Sequence, residues 1–385
     1  MRLHRLALVI FVAFLPACHS PHPAESKANW SGQMQNMAQD VKKLLPYLYD
    51  QRAYQNPANH QVILEYLKEF SQAAHHVPVK TGKEFLGDDL LVEYSLANLR
   101  EDLGRSIHSF EVGQSEYSRS VAKASLTHCF RCHSVTQEGA SASWDLSQLS
   151  SLKLAPLEKA DLLVATRKYD KALSYMENLL SSGEFLKNYA FDFESLLRRY
   201  LALIIRVEHA PKRALAELDK ILNHEDIPPY IAEQAQGWRQ SLKDWAKENP
   251  KSIYSARQLF KQVEARFKMA ESIQHYRKDH AGDVEYLRAT ALLHKGLRFI
   301  KTSNDQARAL YLLGEAYEVL DELGSWNLHE SYYEACLLKA PKTPLAKRCY
   351  NRLEASLYMG YSGSSGTHLP PEERERLKKL REKIR

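Results

Sequence analysis

Three observations predict an all-α fold for this 385-residue chain. Apolar residues recur at three- and four-residue spacing along nearly its whole length, the period of an amphipathic helix. No stretch of any length alternates apolar with polar residues as a half-buried strand would. Proline and glycine fall between the periodic stretches, and several pairs of stretches are joined by short turns, as in helical hairpins. Apolar and charged contents of 44% and 26% are ordinary for a soluble protein, and the length allows two domains. The expected order is a four-helix bundle over residues 29–150, then a solenoid of helical hairpins over residues 151–385.

The first 17 residues are expected to be a targeting signal. Arg2 and Arg5 precede the short apolar run Leu6 to Ala17, which is too short to span a bilayer comfortably. The run ends in Leu15-Pro16-Ala17-Cys18, which resembles the lipobox of bacterial lipoproteins, with Cys18 as the lipidated residue. Pro16 is unusual there, and plain secretory cleavage is the alternative. No Asp follows Cys18, so the expected location is the periplasm, lipid-anchored to the outer rather than the inner membrane. Residues 18–28 read as a tether.

Four helices are expected in the bundle. The first, from Trp30 to about Tyr49, carries Met34, Met37, Val41, Leu44 and Leu48 on one stripe, with Pro46 bending or ending it early. The second opens on Asn56 and Pro57 and carries Ile63, Leu67, Phe70 and Ala74. The third follows Asp88-Asp89, carries Val92, Leu96, Leu99, Leu103 and Phe110, and ends near Gly113. The fourth runs from about Ser115 through His133.

That last helix contains Cys129-Phe130-Arg131-Cys132-His133, the C-x-x-C-H signature of c-type haem attachment. Cys129 and Cys132 supply thiols for the two vinyl groups, and His133 supplies the proximal ligand to iron. On a helix the three share one face. A zinc site would want a second paired set of ligands, and no second CxxC exists. A thiol-exchange motif would follow a strand, whereas the flanking sequence is helical. One haem c is therefore the expected cofactor.

Four helices with CxxCH on the last resemble the cytochrome c-prime family and its low-spin relatives. In that family the distal residue lies on the first helix, four residues after an Arg. Trp30 stands here in the Arg position and Met34 in the distal position, so the resemblance implies Met34 as sixth ligand, with Met37 as the alternative. The usual Arg is absent, and Ser134-Val-Thr-Gln follows the motif without the customary basic residue. The bland reading of either Met is a core filler. His75, His76 and His108 are further distal candidates; His75 and His76 also suit a helix C-terminus, and His108 a solvated surface. His128 is assigned no ligand role. Relatives of this bundle often dimerise, so a homodimer is allowed.

From residue 151 the pattern changes to repeats. Ala160, Tyr169 and Ala172 fall in a helix–turn–helix that resembles a tetratricopeptide repeat, as do Leu313-Gly314-x-x-Tyr317 with Tyr332-Tyr333, Ala335 and Pro341. Arg206 through Leu222 reads as a degenerate pair. Residues 227–245, 254–276 and 283–300 read as amphipathic helices. Such stacks commonly hold a protein or peptide on a concave face. Residues 151–385 hold 39 basic against 32 acidic residues, and residues 26–150 hold 12 against 14, which suits an acidic partner or a merely solvated face. The net charge of +6, without a Lys/Arg run interleaved with aromatics, predicts no nucleic-acid role. Cys336 and Cys349 flank one inter-helix connection and are placed to form a disulfide. The Gly-rich loop at Gly360 reads as a surface connection to a C-terminal capping helix.

The function this implies is single-haem electron transfer to a redox partner protein, with the repeats docking a protein or peptide and a lipid holding the chain at the membrane. The alternative is a haem-based redox or gas sensor, or an assembly scaffold. No Ser-His-Asp or paired-carboxylate arrangement follows from the spacing. An electron carrier is therefore expected rather than an enzyme, with peroxidase-like chemistry of the same haem the one enzymatic reading left open.

Overall fold

Helical periodicity in the sequence becomes helix in the computed structural model, which describes residues 23–77, 89–135, 151–249, 252–276, 279–320 and 327–384. Cys18 and the targeting signal lie outside the described residues. The fold is all-α; the sole strands among the described residues are Ser362–Gly363 and Gly366–Thr367, an exposed antiparallel pair in the Gly-rich loop. No described helix is long and apolar enough to cross a membrane.

The amino-terminal region comprises α1 (Pro23–Leu48), α2 (Gln51–Gln55), α3 (His60–His76), α4 (Leu90–Glu111), α5 (Ser115–Ser125) and α6 (Thr127–His133). Two boundaries differ from expectation. Helix α1 begins at Pro23, so the stretch read as a tether is helical from that point; Pro suits a first turn, and Ala, Glu and Lys after it favour helix. It also continues through Pro46 to Leu48, because that proline falls in the last turn, where only one ladder bond is lost. Asn56 caps the 3₁₀ turn Pro57–Asn59 that leads into α3, its side chain accepting from Ala58 N at 3.0 Å. Asp89 caps α4 in the same way, accepting from Leu91 N at 3.0 Å.

Helix α1 packs on α3, α3 on α4, and α4 on α5, with α2 bridging α1 and α5. The stripe residues Leu44, Leu48, Ile63, Leu67, Phe70, Leu99 and Leu103 form the core between them. Three hydroxyls fasten α2, α4 and α5 within it: Tyr54 Oη meets Ser118 Oγ at 2.9 Å, and Ser106 Oγ donates to Ser118 O at 3.0 Å.

The carboxy-terminal region comprises α7 (Pro156–Ala165), α8 (Tyr169–Leu180), α9 (Gly183–Asn188), α10 (Ala190–Arg206), α11 (Pro211–Leu222), α12 (Pro229–Trp245), α13 (Ala256–Ile273), α14 (Asp283–Gly296), α15 (Ser303–Val319), α16 (Leu328–Lys339), α17 (Pro344–Gly360) and α18 (Pro371–Ile384). Its main contacts join sequence neighbours, among them α7 with α8, α11 with α12, α13 with α14, and α15 with α16. Gly314 explains one of these approaches. A Cβ there would lie 2.6 Å from the Tyr333 ring, so only glycine lets α15 and α16 pack at this distance. A disulfide joins the buried Cys336 and Cys349 between α16 and α17, with their Cα atoms 6.2 Å apart. The two regions are packed together: α6 lies on α7, and α16 returns to touch α4.

Candidate functional site

Helix α6 is separate from α5, whereas the sequence suggested one continuous helix through the CxxCH motif. Two hydroxyls make the break. Ser125 Oγ donates to Ala122 O and Thr127 Oγ1 to Ala124 O, both at 2.8 Å, competing with the backbone ladder where the chain turns. Leu126 N then bonds Lys123 O at 3.2 Å, an i−3 closure that ends α5 and lets α6 take its own direction.

Each end of the motif is held by a different region. At the start, His128 Nε2 meets Asp102 Oδ2 of α4 at 2.8 Å. Burial lowers the His128 pKa despite that carboxylate, and the pairing accounts for this histidine without an iron. In the middle, Phe130 is buried, with the Arg199 guanidinium of α10 5.5 Å from its ring centre. At the end, Tyr169 Oη of α8 donates to His133 O at 2.9 Å and receives Arg167 Nη1 at 2.8 Å. The residue that reads as a repeat-turn tyrosine therefore anchors the C-terminus of the motif helix.

The three motif residues share a setting. Cys129 and Cys132 are free thiols, and with His133 they retain partial solvent contact in the interior between α4 and α7. Burial pushes the Cys129 thiol up to about 12 and raises that of Cys132, which Ser95 of α4 partly offsets. Thiols held neutral in this way are poor nucleophiles for exchange chemistry, which depends on a lowered pKa. Burial, reinforced by the Arg167 charge, pushes His133 down to about 3, while the carbonyls of Ala165 and Val164 act in the opposite sense. The ring is therefore neutral at ordinary pH, the form that ligates a metal.

These residues fit a haem c. His133 Nδ1 is buried without a hydrogen-bond partner among the described residues, and its ring lies near the carbonyls of Ala165 and Val164. A carbonyl on Nδ1 is the usual orienter of a ligating imidazole, leaving Nε2 for iron. The two thiols lie one helical turn apart on the same short helix, the spacing required by adjacent vinyl groups. Among the described residues no group of three or more His, Cys, Asp or Glu is arranged to hold a metal ion by side chains alone.

The distal candidates are dispersed. Met37 is buried and Met34 partly buried on α1, whose main partner is α3; α6 packs chiefly on α7 and α4. Trp30 is buried in the same core. His75 and His76 are exposed at the end of α3, yet the cation on that terminus is Arg100, donating to Ala74 O at 3.1 Å and Val77 O at 3.0 Å. His108 is exposed on α4.

Sequence reasoning missed a buried polar network beside the motif. His294 of α14 meets Asp89 Oδ2 through Nδ1 at 2.5 Å and Tyr317 Oη through Nε2 at 2.8 Å. Tyr332 Oη donates to Asp89 Oδ1 at 3.2 Å, and its ring stacks on Tyr317 with centroids 5.5 Å apart. Burial pushes Asp89 up, but the His294 charge and its hydrogen bond, with those from Leu91 N and Tyr332, more than offset this and hold the carboxyl below its usual range. The sequence placed Asp89 only just before a helix; its His294 and Tyr332 partners lie more than two hundred residues away. Comparison with family models, curated proteins and solved structures finds no match to this chain.

Proposed function

We propose that this chain is a c-type cytochrome carrying one covalent haem for electron transfer. The observation that carries the reading is the shared setting of Cys129, Cys132 and His133: two neutral, unbonded thiols and a neutral imidazole on one short helix, deeply set yet reachable. Cys129 and Cys132 would each add S–H across a vinyl C=C, with no leaving group, and His133 would bind iron. The haem supplies a one-electron couple; the chain supplies a low-dielectric setting and a fixed proximal imidazole.

In this reading α1, α3, α4 and α5 are a cytochrome c-prime-like four-helix bundle, supported by the α1–α3, α3–α4 and α4–α5 packing. The following hairpins are tetratricopeptide-like repeats that dock a redox partner or peptide, supported by Ala160 and Ala172 buried where helices cross and by the Gly314–Tyr333 approach. Cys18 would carry a lipid that anchors the protein in the periplasm, at the outer membrane, where haem attachment occurs after export. Met34 is the proposed sixth ligand and Met37 its alternative, and a homodimer fits the same family. The principal packing of α1 away from α6 favours one second reading, an iron open on its far side that serves a gas or redox sensor.

The test is covalent haem. Protein produced with a haem-attachment system should keep its haem through denaturing electrophoresis, and Cys129→Ala with Cys132→Ala should abolish this completely. A ferrous spectrum unchanged by CO would support the carrier, and Met34→Ala should then convert six-coordinate to five-coordinate iron. A CO-shifted spectrum would move the assignment to the sensor, and absence of covalent haem would sink both.

A further inference from the structure

Two arginines near the motif lack what a buried guanidinium requires. Arg131, inside the CxxCH sequence, is 6% exposed, and its Nε and Nη1 have no hydrogen-bond partner. The Tyr94 ring of α4 lies 5.3 Å from its guanidinium. Arg206, the last residue of α10, is 4% exposed. Its Nε donates to Thr290 Oγ1 at 3.0 Å, its guanidinium lies 5.4 Å from the Tyr317 ring centre, and its Nη2 has no partner.

Both arginines lie near Tyr317. The Tyr317 hydroxyl lies within electrostatic reach of Arg206, Arg131, Asp89 and Cys132 together. The carboxylate there, Asp89, is already engaged by His294, Tyr332 and Leu91 N. A ring face is a weak substitute for a carboxylate, because a buried ion needs a partner that also satisfies its hydrogen-bond donors. Asp102, the other carboxylate acting on Arg131, is already engaged by His128 and Arg105. Three buried guanidinium nitrogens are thus left without an acceptor among the described residues.

We propose that Arg131 and Arg206 form a buried site for a carboxylate-like anion, with the Tyr317–His294–Asp89 network fixing its floor. Guanidinium groups present paired donors that match a carboxylate or phosphate. The inference builds on the haem reading, which offers one source of this chemistry: a haem tethered at Cys132 carries two carboxylates of its own. A free small anion is the other source. One arginine comes from each region, so occupancy couples the regions around the motif helix.

The experiment has two arms. The first uses full-length protein without haem and titrates inorganic phosphate while following thermal unfolding. Wild type should gain stability with phosphate, and Arg131→Met and Arg206→Met should lose that dependence while melting no lower than wild type in its absence. Removing an unpaired buried charge is not destabilising if packing is kept. The second arm uses the haem-loaded protein. There phosphate should have no effect, the carboxylate bands in the resonance Raman spectrum should shift in Arg206→Met, and the haem midpoint should fall as a nearby cation is lost. Phosphate dependence persisting after haem loading would assign the site to a free anion. Variants that melt lower without phosphate, and show neither phosphate dependence nor spectral change, would overturn the proposal in favour of purely aromatic packing. Failure to attach haem leaves the first arm intact, so the anion site and the haem reading fail separately.

Discussion

The two regions bury polarity in different currencies. In the amino-terminal region the buried polar side chains are mostly serine hydroxyls, Ser95, Ser106, Ser109, Ser118, Ser125 and Ser134. In the carboxy-terminal region they are mostly ionisable, with Asp161 facing Arg199 at 2.8 Å and Arg288 held by Glu285 at 2.9 Å and Glu248 at 2.6 Å. A hydroxyl can return its proton to its own helix, as Ser125 does, so it allows close approach without dictating which helix comes next. A charged side chain can instead reach a partner on another element. Such pairs add little net stability but penalise every wrong arrangement. Arg199 to Asp161 ties α10 to α7, and the half-buried Arg213 to Glu177, at 2.7 Å, ties α11 to α8. The apolar stripes align the first region, and charges set the order of stacking in the second.

Asp89 breaks this division, because it is the amino-terminal region's buried carboxylate and its partners belong to the other region. Asp89→Ala should give the largest loss of stability, about 3–5 kcal/mol, since it leaves the His294 and Tyr332 groups buried without their acceptor. Denaturant unfolding should then split, with the seam opening before either region. The sign with pH follows from a carboxyl held below its usual range. Its contribution is present above the unfolded value of about 3.9 and is lost as pH falls through the lower folded value. Acid should therefore narrow the gap between wild type and Asp89→Ala. A gap that stays constant to low pH would show that Asp89 acts only as the cap of α4.

Most of the helices were legible because each needs only its own sequence. The stripes Leu44–Leu48, Ile63–Leu67–Phe70 and Leu96–Leu99–Leu103 are buried where periodicity put them, and the Asn56-Pro57 and Asp89 starts follow from capping chemistry. The motif was legible for the same reason, as five consecutive residues. What was not legible depends on distant partners or on competing short-range bonds. The Ser125 and Thr127 back-bonds that free α6 look like ordinary helical positions, and nothing near Arg206 or His294 in sequence announces their contacts with Tyr317. The helical start at Pro23 follows from Ala, Glu and Lys, which favour helix whatever they face, whereas the polarity of that stretch alone reads as a tether.

The Cys336–Cys349 disulfide sharpens the contrast at a smaller scale. It closes a loop of 13 residues between α16 and α17 in the region otherwise ordered by charge. Reduction, or Cys336→Ala with Cys349→Ala, should cost about 3 kcal/mol, chiefly by releasing the unfolded chain. Because α16 touches α4, thermal unfolding with and without reductant should also shift the seam transition and not only the last hairpin. A shift confined to α16 and α17, read by hydrogen exchange, would show that the seam is independent of them.

Two glycines offer the finest comparison, one from each region. Gly314 sits in α15 with a would-be Cβ 2.6 Å from the Tyr333 ring, whereas Gly104 is exposed in α4 with nothing within 4 Å. Alanine favours helix over glycine at both, by roughly 0.5–1 kcal/mol. At Gly104 that gain is unopposed, so Gly104→Ala should stabilise by about that amount. At Gly314 the methyl must displace a ring that also bonds Glu318 through its hydroxyl at 2.7 Å, so overpacking of about 1–3 kcal/mol outweighs the gain. The two substitutions should move the denaturation midpoint in opposite directions with unchanged slope. If Gly314→Ala proved neutral, α15 and α16 would have room to part, and the closeness of that crossing would be a consequence of the ion pairs around it rather than of the glycine.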